Sequence, residues 1–210
     1  MPTGARVTGS GRGVAGAVLV GGSSHRMGVD KAAFEVDGRP MVMAPIEALR
    51  GAGVSPVYVV GGHPMADMDA DQEVIPDRWP GEGPLGGILT ALNALDEEEQ
   101  RPVMVLACDL PDASAATVRE ILERVAAAPE AVILPMLDGV PQWLHALWPA
   151  GARTPLTESF EAGERAPWRA GRRLPVIEVA VVDGWTLSDI DTPEDLVGRG
   201  ISSGSAPCHD

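Results

Sequence analysis

A glycine-rich segment near the start of the chain carries the residue types that bind phosphate. Residues 18–31 read V-L-V-G-G-S-S-H-R-M-G-V-D-K, so an apolar run leads directly into a loop that holds Arg26 and Lys31. Because Gly21 and Gly22 lack a Cβ, their backbone N–H groups can approach an anion closely, and the two cations neutralise its charge. The segment has neither the Gly-Lys-Ser/Thr of a Walker P-loop nor a G-x-G-x-x-G dinucleotide motif. We predict a nucleoside triphosphate site; an ordinary strand-to-helix turn with solvated charges is the alternative.

A carboxylate stands at the end of a second apolar run. Asp109 follows residues 103–108, V-M-V-L-A-C, and precedes a Leu-Pro pair. Mg²⁺ prefers one or two carboxylates together with phosphate oxygens and waters, so Asp109 is a candidate magnesium ligand. The alternative is an aspartate that caps a helix beginning near Ser114. Cys108 is expected to be a small packing residue, since side chains alternate along a strand and no histidine is adjacent in sequence.

Two further carboxylates occur near the end of the chain. Asp189 and Asp191 alternate in the run L-S-D-I-D-T-P, so in an extended segment they share one face. Either could complete the magnesium site, and we select Asp191 together with Asp109. A helix N-cap role explains Asp191 or Thr192 equally well.

The loop at 77–87, D-R-W-P-G-E-G-P-L-G-G, is dense in turn residues and leads into a helix. Backbone amides near Gly83 and the helix start could hold a nucleobase edge or an anionic group. Asp77 suits a ribose hydroxyl or the N–H face of guanine, and a turn-forming role explains it equally well. The segment from Trp143 to Trp148 could form a short strand or line a substrate shelf. Trp143, Trp148 and Trp168 could stack on a planar ligand, but packing is the expected role.

Composition limits the kind of protein. With 210 residues and 45% hydrophobic content, we expect a single domain at 14–198 between tails at 1–13 and 199–210. A net charge of −14 argues against nucleic-acid binding, because a negative surface repels a polyphosphate backbone. No apolar run reaches the roughly 18 residues of a membrane span. The two cysteines imply no disulfide framework, so a cytoplasmic protein is expected.

Apolar runs of strand type alternate with helical patterns along the chain. This alternation predicts an α/β fold with a mostly parallel sheet covered by helices. In such sheets ligands bind beyond the carboxyl ends of the strands, where the segments above would meet. The predicted strands are residues 17–20, 57–60, 103–107, 131–134 and 176–182, and the predicted helices are residues 41–51, 85–95, 114–127, 155–162 and 193–197.

Five motifs occur in an order that resembles a known family. They are V-L-V-G-G-S-S-H-R-M-G-V-D-K, P-G-E-G-P-L-G-G-I, A-C-D-L-P, E-A-G-E-R and D-I-D-T-P-E-D-L, spread over residues 17–196. Together they resemble the MobA-like NTP transferases, the family of the molybdenum cofactor guanylyltransferases. The resemblance implies a Rossmann-like three-layer α/β/α nucleotidyltransferase fold of the GT-A-like type. It also implies transfer of GMP from GTP to molybdenum-molybdopterin, with Mg²⁺ and release of pyrophosphate.

The resemblance assigns roles to individual residues. Arg26, Lys31 and Asp109 would be catalytic, and Asp109 would bind the metal, to which the spacing argument above adds Asp191. The nucleotide-binding residues would be Leu19, Val20, Gly21, Gly22, Arg26, Lys31, Asp77, Gly83, Gly87 and Asp109.

The chain departs from the family pattern at three places. L-V-G-G stands for the usual L-A-G-G, D-I-D-T-P stands for N-x-N-T-P, and Gln142-Trp143 stands where a His-Pro pair is usual. These departures concern which nucleotide base is used and which substrate accepts the nucleotidyl group. The alternatives are therefore a relative that uses CTP or another phosphorylated acceptor, and a non-catalytic nucleotide- or cofactor-binding protein. A cofactor-delivery protein or the apoprotein of a molybdoenzyme is a possible partner.

Overall fold

A mostly parallel sheet forms the centre of the molecule in the computed structural model, which describes residues 13–21, 34–36, 38–62, 72–95 and 101–190. The strand order is β10-β7-β9-β6-β1-β4-β5, with β8 paired to β7. Strands β8 and β9 run antiparallel to their neighbours, and the other strand pairs of this sheet are parallel. A separate two-stranded hairpin consists of β2 and β3. The bounds are β1 Ala15–Leu19, β2 Glu35–Val36, β3 Arg39–Pro40, β4 Val57–Val60, β5 Gln72–Ile75, β6 Val103–Ala107, β7 Val132–Leu137, β8 Val140–Pro141, β9 Leu147–Trp148 and β10 Val176–Ala180.

Helices cover both faces of the sheet. They are α1 Met43–Gly51, α2 Pro84–Ala94, α3 Ala115–Leu122, α4 Arg153–Glu161 and α5 Pro167–Gly171, with 3₁₀ turns at Ala150–Ala152 and Gly184–Leu187. Successive residues of β1 serve opposite faces because side chains alternate along a strand. Val18 packs in the core under α1 and α3, whereas Ala17 and Leu19 pack in the core under α2 and α4. The result is three layers, as expected.

The structure confirms each of the five predicted strands and four of the five predicted helices. The fifth helix, at 193–197, lies outside the described residues. Ser114 is the N-cap of α3, and its Oγ accepts the backbone N–H of Ala116 at 3.1 Å. Helix α3 ends at Leu122 instead of residue 127, because the N–H of Val125 turns back to the carbonyl of Leu122 in an i→i−3 bond of 3.2 Å.

Several short elements were not among the five predicted strands. Strand β9 confirms the short strand that the sequence left open within residues 143–148, and it pairs with both β6 and β7. Strand β5 reads Q-E-V-I and lies at one edge of the sheet. The predicted tails fall largely outside the described residues, so the domain boundaries stay predictions. None of the described helices has the length and apolar character needed to cross a membrane.

Candidate functional site

The carboxyl ends of β1 and β6 bring two predicted site segments together. The backbone N–H of Cys108 donates to the carbonyl of Leu19 at 3.1 Å. Asp109 follows Cys108 directly, and Gly21 lies two residues past Leu19 with φ of 128°. The start of the glycine-rich loop and the candidate magnesium ligand therefore lie at one edge of adjacent strands. Gly22, Arg26 and Lys31 lie outside the described residues, so their predicted roles stay predictions.

Glycine at position 61 allows close packing at the same edge. The backbone N–H of Val20 donates to the carbonyl of Val60 at 2.8 Å, which holds the end of β1 against β4. Gly61 has φ of 81°, and a Cβ there would lie 2.2 Å from the carbonyl oxygen of Val20. Only glycine fits this combination of backbone conformation and contact. Gly61 therefore allows the chain to lie this close to Val20, one of the predicted nucleotide-binding residues.

Asp77 is a turn-forming residue in this structure. Its Oδ1 accepts the backbone N–H of Trp79 and the hydroxyl of Thr90, each at 3.0 Å. The same Thr90 oxygen accepts the backbone N–H of Arg78 at 3.1 Å. This confirms the turn role that the sequence left open beside the nucleoside role. Contact between Asp77 and a nucleoside stays a prediction.

The start of α2 packs directly on β1. Gly83 is the N-cap, with φ of 87°, and Pro84 occupies the first turn. A Cβ on Gly87 would lie 3.3 Å from Leu19 Cδ2, so glycine lets the helix approach the strand closely. The predicted residues Leu19 and Gly87 are therefore in direct contact, and the N-terminus of α2 lies at the same edge as Gly21.

Arg165 joins this region from far along the chain. Its Nε donates to Glu82 Oε2 at 2.6 Å, and its Nη1 donates to the carbonyl of Phe160 at 2.8 Å. The Phe160 ring in turn lies 5.2 Å from the ring of Trp79. The sequence prediction assigned no role to Arg165, although the E-A-G-E-R motif that ends at this residue was one of its signals.

The last described residues run beside Asp109. The backbone N–H of Ile190 donates to the carbonyl of Asp109 at 3.0 Å. Asp191 lies outside the described residues, but its neighbour Ile190 is thus bonded to the other predicted metal ligand. The alternative role for Asp109 as a helix cap is wrong, because Ser114 caps α3. Asp189, the second candidate, has an exposed side chain.

Whether this edge suits a magnesium ion depends on the carboxylate oxygens that it offers. Within the described ranges no cluster of three or more His, Cys, Asp and Glu residues could hold a metal by itself. Asp109 is half-buried at the strand end, beside the segment that leads to Asp191. One or two carboxylates completed by phosphate oxygens and waters is the arrangement that Mg²⁺ prefers. Asp109 fits a site of this kind, and Mg²⁺ binding at this edge stays a prediction.

Two of the three tryptophans considered above as stacking residues pack against the core. Trp148 is 0% exposed, and Trp143 lies against it with ring centroids 6.0 Å apart. Trp168 is 40% exposed, with the guanidinium groups of Arg169 and Arg172 4.9 and 4.8 Å from its ring. The packing role is thus confirmed for Trp143 and Trp148. Cys108 is also buried in the core, as predicted.

One buried histidine lies on the segment before β9. His145 is 5% exposed, and burial lowers the pKa of its imidazole to about 4. Its Nδ1 has no hydrogen-bond partner among the described residues. At neutral pH the ring is therefore uncharged, since an ionised imidazole without a partner is costly in the core.

A three-layer α/β/α fold with Gly21 and Asp109 at the carboxyl edge of adjacent strands is typical of nucleotide-binding proteins. The MobA-like NTP transferase domain family matches residues 16–176. The chain belongs to this family, and it is a nucleotidyltransferase.

Individual relatives agree with this assignment. A protein of Opitutus terrae named probable molybdenum cofactor guanylyltransferase is 31% identical over 188 residues, covering 87% of this chain and 92% of that protein. Molybdopterin-guanine dinucleotide biosynthesis protein A of Archaeoglobus fulgidus has a TM-score of 0.68 at 24% identity, covering 87% of this chain and 95% of that chain. The 2-C-methyl-D-erythritol 4-phosphate cytidylyltransferase of Francisella tularensis has a TM-score of 0.69 at 12% identity, covering 89% and 98%. At these identities the two solved structures show the fold alone.

Proposed function

We propose that this nucleotidyltransferase acts in molybdenum cofactor biosynthesis by transferring GMP from GTP to molybdenum-bearing molybdopterin, with release of pyrophosphate. The observation that carries the proposal is the bond between Cys108 and Leu19, which brings Asp109 beside the start of the glycine-rich loop. A relative that covers most of the chain is named for the same activity.

The proposed reaction is an exchange of one phosphoester bond for another. A phosphate oxygen of the acceptor forms a bond to the α-phosphorus of GTP, and the bond between the α-phosphorus and the bridging oxygen breaks, so that pyrophosphate leaves. The acceptor phosphate is already anionic at neutral pH, and this chain therefore needs no general base for the attack. The main obstacle is electrostatic, because both reactants are anions.

Charge placement at this edge is therefore expected to dominate the rate. Two unit charges about 4 Å apart repel by roughly 4 kcal/mol at an effective dielectric of 20, and each reactant carries several charges. Arg26 and Lys31 would neutralise the triphosphate, and the backbone from Leu19 to Gly22 would hold it. Asp77, Gly83 and Gly87 would orient the nucleoside, which aligns the α-phosphorus for in-line attack.

Asp109 and Asp191 would hold Mg²⁺ at the same edge. When bound, the ion neutralises charge on the phosphate oxygens. The contribution of this chain is to keep Asp109 just beyond the end of β6 and to hold Ile190, the residue before Asp191 in sequence, against it. Both features follow from strand and backbone geometry.

The proposal is tested by two measurements on the purified protein. The first ranks GTP, CTP, ATP and UTP by thermal shift with and without Mg²⁺, and we expect GTP with Mg²⁺ to give the largest shift. The second follows pyrophosphate release from that nucleotide in the presence of extracted molybdopterin. A preference for CTP would replace the guanylyl assignment with a cytidylyl one. Tight GTP binding without pyrophosphate release would instead identify a nucleotide- or cofactor-binding protein.

A further inference from the structure

Arg165 connects two segments that are far apart in sequence. It lies just after α4, yet its Nε bonds Glu82 in the loop at 77–83, which we call the nucleoside loop, with the partners 83 positions apart. Its Nη1 also donates to the carbonyls of Phe160 and Glu164, at 2.8 and 2.9 Å. One guanidinium therefore ties the nucleoside loop to the end of α4.

A second contact reaches the other end of the same loop through aromatic rings. The guanidinium carbon of Arg165 lies 4.0 Å from the centroid of the Phe160 ring, at cation–π distance. Phe160 packs against Trp79, whose backbone N–H donates to Asp77. Arg165 thus supports the loop at Glu82 directly and at Trp79 through Phe160.

The backbone around Arg165 is itself fixed. Glu164 Oε1 accepts the backbone N–H groups of Arg165 and Ala166, at 2.8 and 2.9 Å. A Cβ placed on Gly83 would lie 3.5 Å from both the Cβ and the carbonyl oxygen of Arg165. The chain at Arg165 therefore lies directly against the N-cap of α2, where the nucleoside loop ends.

Neighbouring arginines differ from Arg165 in the partners that they reach. Arg169 lies 3.8 Å from Glu164, with its side chain 60% exposed, and Arg173 lies 3.7 Å from Glu158, with its side chain 55% exposed. The Arg165–Glu82 pair is also partly exposed, with side chains 39% and 50% exposed, and exposed ion pairs contribute little to stability. Arg165 is therefore distinguished by the segments that it connects and not by the strength of its ion pair. Neither the Arg169 pair nor the Arg173 pair includes a residue of the nucleoside loop, so Arg169 provides a matched control on the same segment.

We propose that Arg165 is a positioning residue that holds the nucleoside loop in the conformation that accepts the nucleotide. The proposal rests on the proposed function, because it assumes that this loop contacts the nucleoside. Arg165 acts through Glu82 and Trp79 and is not itself a substrate contact. Lysine cannot replace it, since one ammonium group cannot bond Glu82, contact the Phe160 ring and satisfy two carbonyls in a planar arrangement.

The test compares Arg165→Lys and Glu82→Gln with the control Arg169→Lys. For each variant we would measure the Kd of GTP by calorimetry with Mg²⁺, and kcat and KM for pyrophosphate release. Hydrogen exchange of the amides at 78–83 would be measured without ligand. For Arg165→Lys we expect Kd and KM to rise about tenfold and kcat to stay within about twofold. Glu82→Gln should give about a threefold rise, and Arg169→Lys should behave as wild type.

Hydrogen exchange in the nucleoside loop distinguishes failure of this proposal from failure of the proposed function. Faster hydrogen exchange at 78–83 in Arg165→Lys, with no change in Arg169→Lys, supports the positioning role. This holds even if the wild-type protein binds no GTP, a result that would contradict the proposed function alone. Unchanged exchange and unchanged Kd in Arg165→Lys would overturn the positioning role. Fully additive effects in the Arg165→Lys/Glu82→Gln double variant would overturn it too, because a shared contact predicts less than additive losses. If Arg165→Lys does not fold, Glu82→Gln decides by the same criteria.

Discussion

The two sides of the candidate site are built in different ways. The nucleoside loop is held by side chains: Thr90 bonds Asp77, and Arg165 bonds Glu82. The opposite side, which we call the aspartate edge, consists of Asp109 and the adjoining Ile190. There the backbone bond from Ile190 to Asp109, together with the register of β6 on β1, sets the position.

Each side of the site is therefore sensitive to a different kind of substitution. A loop held by side chains depends on residues far along the chain, so substitutions outside the loop are expected to alter nucleotide affinity. An edge held by backbone bonds tolerates most substitutions in its surroundings, because any residue other than proline supplies the same N–H and C=O groups. Its function depends instead on the carboxylate of Asp109 itself.

The largest expected effect is loss of that carboxylate. Asp109→Asn should reduce pyrophosphate release about 1,000-fold, because charge stabilisation at the phosphates is lost while the strand register is kept. Circular dichroism and the melting temperature should stay close to those of the wild type. Asp138→Asn is the control: Asp138 has φ of 49° on an exposed turn, a conformation that asparagine also accepts. Near-normal release by Asp109→Asn would remove the aspartate edge from the mechanism.

The next largest effect is expected where the two sides meet, from adding a single methyl group. Gly61→Ala is expected to lower the free energy of unfolding by about 3 kcal/mol or more, because strain at positive φ adds to a backbone clash with Val20. Gly139 has a similar φ of 78°, and a Cβ there would meet no heavy atom within 4 Å. Gly139→Ala should therefore cost only about 1 kcal/mol in urea unfolding. Equal costs for the two variants would show that the contact with Val20 is unimportant.

Acid should weaken the core around the buried His145. The pKa of His145 falls from 6.5 to about 4 in the folded protein, so the unfolded chain binds a proton more readily. Stability from this residue is complete above pH 6.5 and is lost as the pH falls from 6.5 towards 4, by about 3 kcal/mol in total. Unfolding measured across this range should show the slope in the wild type. His145→Gln should flatten it, and a slope that persists unchanged would assign the effect to other groups.

The smallest expected effect comes from removing one hydroxyl under the nucleoside loop. Thr90 is 2% exposed, and Thr90→Val leaves the Arg78 amide and an oxygen of Asp77 without this partner. We expect a loss of about 1–2 kcal/mol in stability and a rise in KM for GTP with little change in kcat. Thr90→Ser keeps the hydroxyl and serves as the control.

Removing one hydroxyl near the aspartate edge gives a matched test of the other side. Thr117 is also buried, and its hydroxyl pairs with that of Thr186 at 2.8 Å, beneath the segment that leads to Ile190. Thr117→Val should leave KM for GTP unchanged and raise the Mg²⁺ concentration needed for half-maximal activity. If both threonine variants change the same kinetic constant, the two sides of the site are not separate.

The sequence predicted those parts of the molecule that have local signals. Apolar runs such as 103–107 predict strands because burial on both faces requires unbroken hydrophobic character. Ser114 predicts its helix start because a hydroxyl accepts a first-turn N–H. The rule that ligands bind beyond the carboxyl ends of strands then brought Gly21 and Asp109 to one edge.

Other parts depend on tertiary contacts that leave no local signal. Strand β9 has only two residues, and its place between β6 and β7 follows from pairing alone. The bond from Arg165 to Glu82 joins positions too far apart for any spacing rule. Asp77 could be read equally as a turn former or a ligand contact, because both roles use the same short carboxylate.

A crystal structure with bound GTP and Mg²⁺ would show whether the nucleotide binds at the edge formed by Gly21 and Asp109. We expect the nucleoside against the loop at 77–83, and the triphosphate between the Gly21 amide and Lys31. The carboxylate of Asp109 should be on the metal. A nucleotide bound elsewhere, or Lys31 and Asp109 opening onto separate surfaces, would contradict this placement.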